Sequence, residues 1–291
     1  MMRDVNLEQI KKAKSINELL EFSILNINKP SGPTSFSVSD LVRKKLSETG
    51  VKKTSHFGTL DPQVTGVLPI ALNRACRLTG HFMKKDKTYI GIMRLHGDVS
   101  DDILKKEVGK FLGKIMQKPP VKSRVKRVER EREVKKFEIL ERDGKDVLFI
   151  AEVEAGTYIR KLIDDLGKKI GGAHMLELRR TQAGIFSEEA SFNLYQIDEA
   201  VEAFKRGDET PLRKMLIPGE IVAKIMPVAF VKEEFLLQIF RGSPLFQKYM
   251  ESTAGFEKND VIAVFCEQKL VEIAKVILEG EVFAKPEFVL N

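Results

Sequence analysis

Cysteine is nearly missing from the 291-residue chain: Cys76 and Cys266 are the only two, and each lies inside apolar sequence. That excludes a disulfide-framed fold and points to buried thiols in a reducing, cytoplasmic setting. Histidine is sparse as well. His56, His81, His96 and His174 are scattered, and no Cys or His pair has the spacing of metal ligands. No apolar run reaches the length of about 18 residues that a membrane-spanning helix needs. The opening stretch MMRDVNLEQIKKAKS is charged and lacks an apolar segment, which argues against a secretory signal. Internal repeats and low-complexity tracts are absent.

What is present bounds the rest. Hydrophobic residues make up 43% of the chain, enough for a sizeable core. The length fits one large domain with a small one, or two of similar size. Lys and Arg total 49 against 42 Asp and Glu, a net charge of +7, which suggests an anionic partner without naming it. The excess concentrates in 118–136, KPPVKSRVKRVEREREVKK, with nine basic and three acidic side chains. That run reads equally as a solvated hairpin or a phosphate-binding surface.

The periodicity predicts helices over 5–21, 35–46, 100–115, 157–172 and near 196–206. Ser15 and Glu18 have the spacing of a capping box. Val38, Leu41, Val42 and Leu46 fall close to one helical face. Strands are expected at 22–28, at 87–97, as two or three across 125–155 with a turn at Asp143–Gly144, and at 173–186. Residues 208–220 read as a linker, and the short β runs beyond it read as a small barrel-like domain. Helices and strands mix without strict alternation, so the expected class is α+β.

HFGTLDPQVTGVLP, residues 56–69, holds one acidic side chain, Asp61, among turn formers. By spacing alone an Asp-Pro pair marks a turn whose carboxylate caps a backbone group. The wider pattern changes that reading. LNINKPSGPTS (25–35), HFGTLDPQVTGVLPIAL (56–72), KTYIGIMRLHG (87–97), PPVKSRVKR (119–127), AGTYIRKL (155–162) and GGAHMLELRRTQAG (171–184) occur in this order. Together they resemble the TruB-type pseudouridine synthases. Within them the chain resembles the dyskerin-like branch, the catalytic subunit of H/ACA guide ribonucleoproteins. FRGSPL (240–245) and FEKNDVIAV (256–264) are similar, more loosely, to the RNA-binding PUA domain of that family. A helix close behind MRLHG leaves little room for the long RNA-gripping insertion of the bacterial branch.

The resemblance implies an organisation: an N-terminal helical extension (1–22), a catalytic domain (23–212) built on a mixed, mainly antiparallel sheet with flanking helices, and a shortened, barrel-like PUA domain (213–291). It implies isomerisation of uridine in RNA to pseudouridine, without cofactor or metal. Asp61 matches the essential carboxylate, which either attacks C1′ or takes a proton from C2′. Arg160 matches its arginine partner, and Arg suits the task because its fork fixes a carboxylate in one orientation. Tyr89 matches the tyrosine that stacks on the target base. His56 matches a histidine near the flipped nucleotide, although Phe57 stands where a glycine is common. Lys29 is expected to hold the loop and the RNA, or else to be a solvated loop lysine. Leu178 falls where an apolar wall of the uracil pocket belongs. The implied partners are target tRNA or rRNA, an H/ACA guide RNA and small H/ACA proteins, with no membrane. Two readings compete with this one: a stand-alone enzyme for the T-loop uridine of tRNA, and an RNA-binding scaffold whose catalysis is lost or secondary. KLIDDLG replaces a more familiar Cys-His pair after Arg160, a departure expected to affect packing.

Overall fold

The computed structural model of the chain describes residues 4–119 and 126–290. Residues 120–125, the centre of the basic run and of PPVKSRVKR, lie outside the described residues.

Two short helices open the chain, α1 (Leu7–Ala13) and α2 (Ile16–Glu21), where one was expected. The break falls at Lys14–Ser15 because Ser15 starts a new helix. Its hydroxyl accepts from Glu18 N, and the Glu18 carboxylate accepts from Ser15 N at 2.8 Å, the reciprocal pattern that satisfies helix-end donors. The elements that follow are β1 (Ser23–Lys29), α3 (Ser35–Lys45), β2 (Thr54–His56), β3 (Thr65–Leu72), α4 (Thr79–Met83), β4 (Lys87–Leu95) and α5 (Asp101–Gly109). Next come β5 (Gly113–Gln117), β6 (Arg130–Asp143), β7 (Asp146–Val153), α6 (Ile159–Gly167), β8 (Ala173–Ala183), β9 (Phe186–Ser187), α7 (Leu194–Lys205), α8 (Thr210–Met215) and β10 (Leu216–Pro218). The small unit contains β11 (Val228–Phe230), α9 (Leu236–Phe240), β12 (Leu245–Phe246), β13 (Val261–Cys266), β14 (Lys269–Glu279) and β15 (Val282–Val289).

Strands order as β10-β1-β3-β8-β4-β7-β6-β5, with β2 on β3 and β9 on β8. Neighbours along this sheet are antiparallel except β3 and β8, which run parallel. The second sheet orders as β11-β13-β14-β15-β12. The architecture is α+β, as expected.

Three cores hold it. The largest lies between the helices and the long sheet, with Val38, Val42, Tyr89, Phe149, Leu162 and Leu178 among its members. A second joins the two sheets: Phe22, Ile24, Phe57, Val67 and Ala71 pack with Ala263, Phe265, Leu270 and Ile273. The third fills the small sheet's other face. Burial at this scale, at about 25 cal/mol per Å² of apolar surface, is the main driving force for the fold.

Three sequence expectations change. Leu41 is 39% exposed and leaves the buried face of α3. Helix α5 stops at Gly109, and Gly113 at φ 82° turns the chain into β5, so 100–115 is helix then strand. The stretch read as a linker, 208–220, contains α8 and β10, and β10 pairs with β1. The long sheet therefore reaches Pro218. Asp164 and Asp165 of KLIDDLG pair with Lys161 and Lys168 at the surface, while Leu162, Ile163 and Leu166 of the same helix enter the core. Among the described residues no helix is long and apolar enough to cross a membrane.

Candidate active site

Asp61 stands between β2 and β3 in a loop pinned from several sides. Lys29 is fully buried and donates to the carbonyls of Pro30, Pro62 and Val64 at 2.8, 2.8 and 2.9 Å. Ser35 Oγ donates to Leu60 O at 2.9 Å and accepts from Leu60 N at 2.7 Å. Gly32 N donates to Pro62 O at 2.9 Å. The KPSGPTS segment is thus the frame of the Asp61 loop. With its ammonium consumed by carbonyls, Lys29 is neither a solvated lysine nor a free phosphate contact. Burial lowers its pKa, and the Asp61 charge partly opposes that.

Held this way, the Asp61 carboxylate turns outward instead of capping its own loop. Asp61 Oδ2 lies 2.7 Å from Arg160 Nη2. Arg160 is the second residue of α6, and the start of that helix is fixed from outside. Buried Gln117 accepts from Tyr158 N at 3.0 Å and donates to Tyr158 O at 3.3 Å. Both members of the pair are open: the side chains are 54% and 63% exposed for Asp61 and Arg160. The protein alone therefore does not enclose this carboxylate in a dry cleft.

An ion pair this open is worth no more than about 1 kcal/mol of stability. Arg160→Lys should therefore leave the unfolding midpoint within about 2 °C of the parent. Turnover should drop by about a hundredfold, because an ammonium cannot fix the carboxylate's orientation. Paired thermal melts and single-turnover rates check this. Equal losses in both would mean that the pair is structural.

Sheet register brings the remaining residues near the loop. Tyr89 on β4 lies opposite Arg180 on β8, and Arg180 lies beside Gly66 on β3. Strand spacing puts Tyr89 about 10 Å from Gly66, whose strand begins just after the Asp61 loop. Gly91 faces Leu178, and a Cβ at Gly91 would come within 2.9 Å of Leu178 Cδ1 and 2.7 Å of Phe149 Cζ. Tyr89 and Leu178 are 9% and 8% exposed, so both are core residues as well as site candidates. Gly66 is equally constrained: at φ 100°, a Cβ there would lie 2.1 Å from Arg180 O.

Arg180 is the site residue that sequence reasoning missed. It is 1% exposed, donates Nε–H to Val67 O at 2.8 Å and Nη2–H to Gly58 O at 3.0 Å, and so staples both arms of the Asp61 loop. The available signal was strand alternation in LELRR, which turns Arg180 to the same side as Leu178. Beside it Lys87 donates to the carbonyls of Met83 and Lys85, and burial, with Arg180 second, pushes its pKa down to about 8.

His56 closes β2, with Nε2 3.2 Å from Thr59 Oγ1. Burial first and Arg180 second hold its pKa below the usual 6.5. The ring is accordingly neutral at pH 7, a hydrogen-bonding group and not a cation. By NMR its titration midpoint should fall below 6.5 and should rise in Arg180→Met. A midpoint above 6.5 in the parent would contradict this. Phe57, next to it, is explained by packing: its ring stacks on Phe82 at 4.9 Å and tilts against Phe186.

Comparison with known proteins speaks to this arrangement. A family model for the N-terminal domain of TruB family pseudouridylate synthases matches residues 43–159. One for the tRNA pseudouridylate synthase B C-terminal domain matches residues 160–223. A "Probable tRNA pseudouridine synthase B" of Archaeoglobus fulgidus is 39% identical over 274 residues, 92% of this chain and 83% of the relative. The protein of that name in Methanothermobacter thermautotrophicus is 42% identical over 257 residues, 86% of this chain and 78% of the relative. Among solved structures, a chain of a Cbf5-Nop10-Gar1 complex superposes with a TM-score of 0.87 at 35% identity, covering 96% of this chain and 88% of its own. A chain of an H/ACA RNP bound to a substrate RNA containing 2′-deoxyuridine superposes at 0.85 with 33% identity, covering 97% and 89%. Both family models fall on the segments that carry Asp61, Tyr89, Arg160 and Leu178, and the fold agrees from end to end: the chain belongs to the TruB family of pseudouridine synthases.

Proposed function

We propose that the chain isomerises uridine to pseudouridine in RNA as the catalytic subunit of an H/ACA guide ribonucleoprotein. The observation that carries this reading is the outward-facing Asp61–Arg160 pair on a loop pinned from within. A carboxylate so presented acts on a ribose supplied from outside. The C1′–N1 bond breaks, the uracil turns, C1′ bonds to C5, and the C5 proton leaves while N1 gains one. Asp61 either attacks C1′ or takes the C2′ proton. Tyr89 stacks on the flipped base, returning roughly 1–3 kcal/mol of the few kcal/mol that unstacking costs. Leu178 forms an apolar wall, and His56 offers a neutral hydrogen-bonding ring. Lys29 holds the loop. RNA closing over Asp61 would supply the dryness that the free site lacks.

The unit built on the small sheet, β11 to β15, is assigned to PUA-like RNA binding, the long sheet with its helices, up to β10, to catalysis, and residues 1–22 to an N-terminal extension. The complexes that contain the similar chains support small protein partners and a substrate RNA. The two free cysteines suit a reducing cytoplasm.

A second reading, stand-alone action on tRNA, is favoured by the names of the curated relatives. Tritium placed at uridine C5 separates the two. Release only with a guide RNA, its target and the small partner proteins supports the guided enzyme. Release from a tRNA transcript alone supports the other. Tight RNA binding with no release in either mixture would leave the scaffold reading standing.

A further inference from the structure

At the opposite end of β3 from Asp61 lies a cleft of about 690 Å³. Eight strand residues separate it from the catalytic loop, roughly 25 Å. Its basic lining is Lys52, Lys53, Arg74 and Arg77; its acidic lining is Glu21 and Glu287.

The floor is built, not incidental. Asn73 adopts φ 43°, a left-handed conformation that few side chains tolerate. Its Oδ1 accepts from the backbone of Lys52 and Lys53 at 2.8 and 3.2 Å, and its Nδ2 donates to Leu20 O and Gly50 O at 3.3 Å each. One side chain thereby aligns both lysines with the 3₁₀ turn that carries Arg74 and Arg77. Arg74 donates to Val289 O at 3.1 Å, which ties the small sheet's β15 to the same floor.

Many cations elsewhere on the protein, including Lys44, Lys110, Lys114, Lys136, Lys168 and Arg94, have a carboxylate within 4 Å. Among the described residues Lys52, Lys53 and Arg77 have none, although they converge on one cleft. Four cations against two carboxylates, with Lys52, Lys53 and Arg77 in no ion pair among the described residues, leave the cleft net positive and favour an anion there. The cleft is too far from Asp61 to hold the reacting nucleotide, and it spans two structural units. Those features fit an extended polyanion.

We propose that this cleft binds the phosphate backbone of RNA outside the target nucleotide, through Lys52, Lys53 and Arg77. This rests on the RNA reading above. Each lost phosphate contact lowers the slope of log affinity against log salt by about 0.7–0.9. Lys52→Gln/Lys53→Gln/Arg77→Gln should therefore flatten that slope by about 2–3. Lys105→Gln/Lys106→Gln on α5 is the control and should leave it unchanged. A second measurement needs no substitution: in the parent protein, RNA should protect Lys52 and Lys53 from acetylation while Lys105 stays reactive.

An unchanged slope in the triple variant, or full reactivity of Lys52 and Lys53 with RNA bound, overturns the proposal. Saturable binding of one inorganic phosphate per chain that RNA does not displace would reassign the cleft to a small anion. If an RNA turns over yet leaves both lysines reactive, this inference alone fails. If no RNA turns over or binds, the functional reading beneath it fails.

Discussion

Asp61→Asn is expected to abolish turnover while the protein stays folded. The amide keeps the shape of the carboxylate, and the loop is held by hydrogen bonds from Lys29, Ser35 and Arg180 to backbone carbonyls. Stability should therefore change by no more than about 1 kcal/mol, the ceiling for an exposed ion pair. What disappears is the anion, and with it both a nucleophile and a proton acceptor. The size of the loss is informative. Removing a positioned general base costs about 10²–10⁴ in rate. Removing a covalent nucleophile has cost on the order of 10⁶. Single-turnover tritium release from C5 reads the loss, and thermal melts verify the fold. A rate within tenfold of the parent would remove Asp61 from the mechanism.

The second large effect lies away from the active site. Glu272 on β14 is 0% exposed, sits opposite Val264, and neither carboxyl oxygen has a hydrogen-bond partner. Burial pushes its pKa up from 4.5 to about 8. In the folded protein the group stays protonated at pH 7, whereas the unfolded chain releases that proton above pH 4.5. Between these values the folded state binds more protons, so stability falls as pH rises, by up to about 1.4 kcal/mol per pH unit. Over the whole window that amounts to several kcal/mol. Stability should be greatest near or below pH 4.5 as far as this group is concerned, and its contribution should be gone above pH 8. Urea unfolding at pH 5, 6.5 and 8 measures the slope. Glu272→Gln should remove most of it, because an amide does not titrate. Glu272→Leu should in addition stabilise the protein at pH 8, since a buried polar group without a partner costs about 1–3 kcal/mol. Identical slopes in the parent and in Glu272→Gln would exclude the mechanism.

The features legible in the chain are those set within a few residues. The Ser15–Glu18 capping box, the turn at Asp143–Gly144 and the β1 run depend on local chemistry, and each forms where its residues occur. The ordered motifs carried the family, because such a series of short matches encodes a whole fold. Local rules failed where distant partners decide. Residues 208–220 look like a linker, yet β10 becomes a strand because β1 offers it an edge about 190 residues earlier in the chain. Leu41 follows the helical period yet is 39% exposed, because the period does not say how far the covering elements reach around α3.

The sequence by itself determined the chemistry available to this protein: one carboxylate in a loop of turn formers, an arginine, a tyrosine and a basic surface, in the order of a known family. The tertiary structure decided how that chemistry is held. The parallel pairing of β3 with β8 puts Arg180 between Tyr89 and Gly66. Burial assigns Lys29 to loop carbonyls, and exposure leaves the Asp61–Arg160 pair open to solvent. Local propensity acts through neighbours in the chain. Register, burial and exposure depend on segments that meet only after folding.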